Sequence, residues 1–245
     1  MAGYMIVKYL NHSGFMIEYK DTVLIFDYFP GSRGNQSPDP GIRDISVMKG
    51  KKIRVFVSHR HPDHFDPVIL SWKNGINDIR YYFSYDIPRK YHDDYACILK
   101  PYQVHESDDI EIRTLKSTDE GVAFLVSFSG ITVYHAGDLN WWHWDEEPKA
   151  YNNDMAARFK HEILLLKDTR IDVAFLTADP RQEEAELWGL SWFIENVDVG
   201  TVFPMHFWDD YSIMERIKRE AQKKPGLKKV RLISGRGETF EIPLT

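Results

Sequence analysis

The sequence predicts an α/β fold, and three observations predict it. Apolar runs of strand length occupy both ends of the chain, and helical patterns appear between buried strands, most of them in its second half. No apolar run approaches the ~20 residues of a membrane span. A length of 245 residues fits one large domain or two small ones. No repeat, low-complexity tract or linker divides it, so a single layered domain over 1–245 is expected. The hydrophobic fraction of 43% can fill that interior, and the one cysteine, Cys97, excludes an internal disulfide or a cysteine-rich zinc site.

The elements follow in order. GFMIEYKDTVLIFDYF is two alternating apolar runs about a polar turn at Lys20 and Asp21, the pattern of a hairpin. PGSRGNQSPDPG, residues 30–41, is a loop, read as a plain connection rather than a flap. IRVFVS, residues 53–58, is the continuous apolar run of a buried strand, and a helix is expected over 67–73. Residues 79–83, 95–105 and 110–115 read as short strands. VAFLVSFSGITVYHAGD is a second hairpin, turning at Ser129 and Gly130. Asn153 or Asp154 can cap a helix whose Phe159, Ile163 and Leu166 share one face. IDVAFLTADP is then a strand, 183–197 a helix and VGTVFPMHFW a strand. A helix over 210–223 stops before Pro225 and Gly226, and two strands close the chain.

The N-terminal YMIVKYL is too short, and meets polar residues too soon, for a signal peptide, so the cytoplasm is expected. A net charge of −6 gives no support to broad phosphate-backbone binding.

VFVSHRHPDHFD, residues 55–66, carries the chemistry. For this composition an H-x-H-x-D-H run arises by accident with a chance of about 0.0015, so accident explains it poorly. His59 and His61 are two apart on extended backbone, and both rings can point to one side. Asp63 and His64 then turn toward an adjacent position, and Pro62 stiffens the loop. Neutral imidazole with carboxylate suits zinc, and also iron or manganese.

This motif resembles that of the metallo-β-lactamase superfamily, whose further elements occur here in the right order. Asp138 in YHAGDLN matches the family's strand-then-Gly-Asp element, and His206 in FPMHFW matches its late histidine. HSGFMIE…TVLIFD, with Asp27 ending a strand, resembles the opening of lactonase-like and phospholipase-D-like members. The resemblance covers nearly the whole chain. It implies a four-layer αββα sandwich with two divalent metal ions, zinc first and manganese or iron as alternatives, at one edge between the sheets. It further implies one site of His59, His61 and Asp138, and another of Asp63, His64, His206 and the shared Asp138. The family's mid-chain histidine is missing. LKSTDEG stands in its place, where Asp119, with Glu120 beside it, is a hypothetical fourth ligand of the first site.

Around these residues, Trp141, Trp142 and Trp144 follow Asp138 directly and could wall a pocket. His143 among them could donate to a substrate oxyanion. Asp179 and Arg181 lie just past a buried strand, where Arg181 could hold a carboxylate or phosphate bidentately. His135 could support the metal ligands from behind. The resemblance gives His12 a structural part, while His92, His105 and His161 lack partners at a useful spacing and read as structural. SGRGET, with no following helix, is not a phosphate loop.

The expected protein is a cytoplasmic metal-dependent hydrolase. It would use a metal-bound hydroxide on a small-molecule ester, lactone or phosphoester, with Asp63 and Asp138 as its catalytic carboxylates. No serine or cysteine nucleophile is required, which fits a chain without G-x-S-x-G. The alternatives are a phosphodiesterase or nuclease of the same superfamily, or a metal-binding sensor or scaffold without catalysis. No membrane or nucleic-acid partner is expected, and a homo-oligomer is left open.

Overall fold

Alternating apolar residues at the N-terminus build the first of two compact units, which comprises Met1–Leu99 and Ser234–Thr245. The computed structural model describes residues 3–31, 42 and 45–244; the loop expected over 30–41 lies, from residue 32 on, outside them. Strands β1 (Tyr4–Asn11), β2 (Gly14–Tyr19), β3 (Thr22–Phe26), β4 (Lys52–Val57), β5 (Ile79–Ser84) and β6 (Ala96–Leu99) join the C-terminal strand Thr239–Pro243 in one mixed sheet. Its order is C-terminal strand–β1–β2–β3–β4–β5–β6, antiparallel up to β3 and parallel beyond.

The hairpin at Lys20 forms as expected, with Lys20 in left-handed backbone at φ 54°. Every residue of β3, the strand where antiparallel pairing gives way to parallel, is buried. Phe26, Phe56 and Tyr82 stand opposite one another and stack at 4.6 and 5.0 Å. Their neighbours Ile25, Val55 and Tyr81 join a core cluster with Ile69 and Trp72. Those two come from the 67–73 segment, which is a 3-10 helix (Pro67–Asn74) rather than an α-helix; the Asp66 side chain caps it by accepting from Val68 N at 2.8 Å. Strands β1, β3 and β4 run the same way, so His12, Asp27 and His59 follow their ends on one sheet edge.

The second unit spans Lys100–Ile233. Its strands are β7 (Val104–Glu106), β8 (Glu111–Lys116), β9 (Val122–Phe128), β10 (Ile131–His135), β11 (Ile171–Thr177) and β12 (Val199–Met205), in the order β12–β11–β10–β9–β8–β7. Helices α1 (Lys149–Leu164), α2 (Trp188–Asn196) and α3 (Ser212–Glu220) complete it. The β9–β10 hairpin turns where expected, with Ser129 and Gly130 both at positive φ. Strands β8, β10, β11 and β12 run the same way, so Asp119, Asp138, Asp179 and His206 follow their ends on one edge.

Several boundaries differ from expectation. The strand expected over 95–105 breaks at Pro101, which has no N–H to offer, and Tyr102, at φ 64°. Its halves are β6 and β7, in different units. Helix α1 starts at Lys149, before either expected cap, because Pro148 presets the backbone and Asn152 brackets the backbone of Trp144 with two hydrogen bonds. The 183–197 helix begins at Trp188; before it lies a 3-10 turn, Pro180–Ala185, in which Glu183 adopts φ 50°. Helix α3 is shorter than 210–223 at both ends. Of the two closing strands only Thr239–Pro243 forms, while Val230 makes an isolated bridge to Val202. Among the described residues no helix is long and apolar enough to cross a membrane.

Candidate metal centre

In the first unit the histidine motif is a tight turn at the end of β4. Its backbone is closed by His64 N and Phe65 N, both donating to His61 O at 3.0 Å, around Pro62, a residue suited to the first central position of such a turn. Phe65 anchors the turn against Phe83 and Tyr91. Behind it sits Asp27, fully buried and in left-handed backbone at φ 41°. Asp27 accepts from Ser58 N at 2.7 Å, from Ser58 Oγ at 2.6 Å and from His64 Nδ1 at 2.7 Å. A carboxylate on Nδ1 turns Nε2 outward as the donor nitrogen, the way metal-binding histidines are held.

The donors converge. His59 Nε2 lies 3.0 Å from His61 Nδ1, and the rings of His59 and His64 are 4.0 Å apart. Burial, then the neighbouring His64, pushes the pKa of His59 down to about 2, so its imidazole is neutral and able to ligate. Burial alone would raise Asp63; the close contact with His12 at 3.3 Å and the fields of His64 and His12 outweigh it and hold this carboxylate ionised well below its usual range.

In the second unit the loop after β10 turns through Ala136 and Gly137, the latter at φ 52°, to present Asp138. Trp142 Nε1 donates to Asp138 O at 3.0 Å, and Thr177 Oγ1 to Gly137 O at 3.2 Å, fixing that loop. Thr118 Oγ1 donates to Asn140 O at 2.7 Å and accepts from Asn140 N at 3.0 Å. This ties the loop of Asp119 to that of Asp138 and brings a carboxylate oxygen of each within 4.8 Å of the other. Asp119 is exposed, its N–H donating to Ser117 Oγ at 3.1 Å.

His206 follows β12 in left-handed backbone, φ 68°, and is buried. Its Nδ1 donates to Asp179 Oδ2 at 3.0 Å, and its Nε2 stands 3.4 Å from Asp138 Oδ1. Burial would lower the pKa of His206, but the Asp138 charge and the Asp179 hydrogen bond raise it. Asp179, which burial would raise, is brought down to about 2 by His206 and Arg181. Arg181 directs Nε to both oxygens of Asp179 at 3.0 Å, and its guanidinium lies over the rings of Trp144 and Trp208.

The tryptophans divide. Trp142 stacks on Trp144 at 5.9 Å and meets His206 edge-on at 5.6 Å, and Trp208 reaches His206 at 5.8 Å. Trp141 faces Phe159, Lys160 and Trp188 instead, and His143 also packs on Trp188. His135 is buried, its Nδ1 accepting from Gly137 N at 3.2 Å. Sequence reasoning missed the Asp27–Ser58 clasp, the Asp179–His206 bond, Trp208 and the contact of His12 with Asp63 at 3.3 Å. A strand ending in Asp27 and the spacing of His206 to Trp208 were the available signals.

The sequence pattern of the β-lactamase superfamily domain matches residues 6–153, and the chain belongs to that family. A metal-dependent hydrolase of the UPF0173 family from Thermococcus kodakarensis is 24% identical over 143 residues, covering 54% of this chain and 60% of the relative, so the match spans less than two thirds of that protein. Among solved structures, a metallo hydrolase from Ignicoccus hospitalis superposes with a TM-score of 0.67 at 18% identity, covering 99% of this chain and all of the other. The metallo-β-lactamase fold protein YhfI from Bacillus subtilis superposes at 0.65 and 13% identity, covering 98% of this chain and 99% of its own. The fold is thus the α/β fold of the metallo-β-lactamases, with two mixed sheets.

Proposed function

We propose that the chain is a metal-dependent hydrolase of a small-molecule ester, lactone or phosphoester. The first unit offers His59, His61, Asp63 and His64 as ligands, and the second unit offers Asp119, Asp138 and His206. The carrying observation is the clasp of Asp27 on His64 Nδ1 at 2.7 Å, which orients a buried imidazole for a metal. The residues fit such an ion: His59 is a neutral imidazole, His64 and His206 are each held by a carboxylate, Asp63 is ionised, and His206 Nε2 stands 3.4 Å from Asp138 Oδ1. Family membership and relatives named as metal-dependent hydrolases support the reading. The family pattern running from residue 6 to 153, through parts of both units, supports a single domain.

Two divalent ions, zinc or alternatively manganese or iron, would supply a Lewis acid and water made acidic near neutral pH. The chain's own residues do the rest. Asp63, ionised across the working range, is placed to accept a proton and to orient the attacking water. Asp179 keeps the proton of His206 on Nδ1. Trp142 and Trp208, flanking His206, offer apolar walls for a substrate body. We take the protein as cytoplasmic, with no nucleic acid in its cycle.

A panel of esters, lactones and phosphoesters, assayed with and without chelator, tests this reading. Turnover should vanish in His59→Ala and on chelation, and return with zinc or manganese for the wild type only. Full activity in His59→Ala would sink it. Stable metal binding without turnover on any substrate would favour a sensor or scaffold.

A further inference from the structure

His12 sits on the β1–β2 turn, where sequence reasoning gives it only a structural part. It is 2% exposed and holds left-handed backbone at φ 52°. A non-glycine residue in that backbone conformation costs free energy, and such strain gathers at functional positions. Its Nε2 lies 3.3 Å from Asp63 Oδ2, and its ring meets that of His64 edge-on at 5.4 Å. One donor atom from each of His12, Asp63 and His64 lies within 4.8 Å of the other two.

We propose that His12 is itself a metal ligand, forming with Asp63 and His64 a three-donor set on the first unit for one divalent ion. The proposal rests on the metal-dependent reading above. Donors at ~2.0–2.1 Å from a tetrahedral ion stand roughly 3.3–3.4 Å apart. A charge-assisted N–H···O bond instead closes to ~2.7–2.9 Å. The His12–Asp63 spacing of 3.3 Å matches the first and exceeds the second. Two imidazoles and a carboxylate are a donor set that zinc, manganese and iron all accept.

The turn is pinned for this task. A Cβ at Gly14 would meet Asn11 O at 2.9 Å and Asp27 O at 3.0 Å, so only glycine lets the turn press against the strand end that carries Asp27. Asp27 in turn holds His64 Nδ1, leaving Nε2 as the ligating nitrogen. One carboxylate-bearing strand end thereby seats both imidazoles.

The test uses full-length wild type, His12→Ala and His12→Gln, stripped and titrated with cobalt(II). Affinity is followed by the visible ligand-field bands and ligating histidines by their hyperfine-shifted imidazole N–H resonances. His12→Ala should weaken binding of one cobalt by more than about 100-fold, beyond the ~10–100-fold cost of a residue that only orients a ligand. One shifted resonance should be lost. His12→Gln retains a hydrogen-bond donor toward Asp63 but no imidazole, and should lose the same resonance; it decides the matter if the alanine variant fails to fold. Unchanged affinity and resonances in His12→Ala, or full restoration in His12→Gln, would overturn the ligand assignment while leaving the enzyme a metalloprotein. A wild type that takes up no cobalt would overturn the metal-dependent reading itself.

Discussion

Asp27 shows how one buried side chain can organise a ligand loop. It sits at 0% exposure and accepts three hydrogen bonds, two from Ser58 and one from His64. Removing it strands the Ser58 N–H and the His64 Nδ1–H in the interior, at about 1–3 kcal/mol for each buried group left unsatisfied. Asp27→Ala should therefore lose about 3 kcal/mol in urea unfolding and weaken metal binding by roughly 10–100-fold. A stability loss well under ~1 kcal/mol would mean that water replaces the carboxylate without strain. The sequence placed Asp27 at a strand end, yet its grip on His64, 37 positions away, depends on β3 and β4 pairing in register.

At the scale of elements, the ends of parallel strands meet helices that hold their loops still. Gly189, in the first turn of α2, lies against Asn140: a Cβ there would fall 2.1 Å from Asn140 Oδ1 and 3.2 Å from Trp141 N. Asn140 also binds Gln182 and Thr118, so the loops of Asp119 and Asp138 share this contact. Gly189→Ala should cost about 1–3 kcal/mol through overpacking, read as an earlier urea midpoint at unchanged slope. An unshifted midpoint would show that Asn140 can rotate away freely. In the first unit, Lys73 at the end of the 3-10 helix pairs with Asp93. Burial would raise the Asp93 pKa, but the Lys73 hydrogen bond and charge lower it below its ordinary 3.8. A depressed carboxylate contributes stability that is present above the unfolded value and lost as pH falls through the folded one. Lys73→Met should thus cost about 0.5 kcal/mol at pH 7, and nothing once Asp93 is protonated in both states. A cost that persists in acid would make the lysine's contribution apolar packing instead.

For the whole molecule, bound metal should act as a stabilising ligand. An ion present at a thousandfold its dissociation constant adds about 4 kcal/mol, which for a chain of this size raises Tm by roughly 8–16 °C. Chelation should remove that increment reversibly in a thermal melt, and the melt should show one transition if the two units fold as a single domain. An unchanged Tm after stripping would mean that no metal contributes to the fold, and two separated transitions would divide the domain.

The sequence by itself determined the fold class, both hairpins and the His59, His61, Asp63, His64 motif, because each is written in local period, turn chemistry or spacing. Local period could not tell a 3-10 helix from an α-helix at Pro67–Asn74, nor see that Pro101 sends β6 and β7 to different sheets. Only the tertiary structure decided which side chains support the motif. Asp27 reaches His64, His12 reaches Asp63 and Asp179 reaches His206 through strand pairings far apart in the chain. The three tryptophans after Asp138 read alike in sequence, yet one turns toward α1 and α2 and another toward His206. The physical reason is common to all of these: hydrogen-bond geometry and side-chain direction are set by register and by the loop's path, and neither is encoded within a window of a dozen residues.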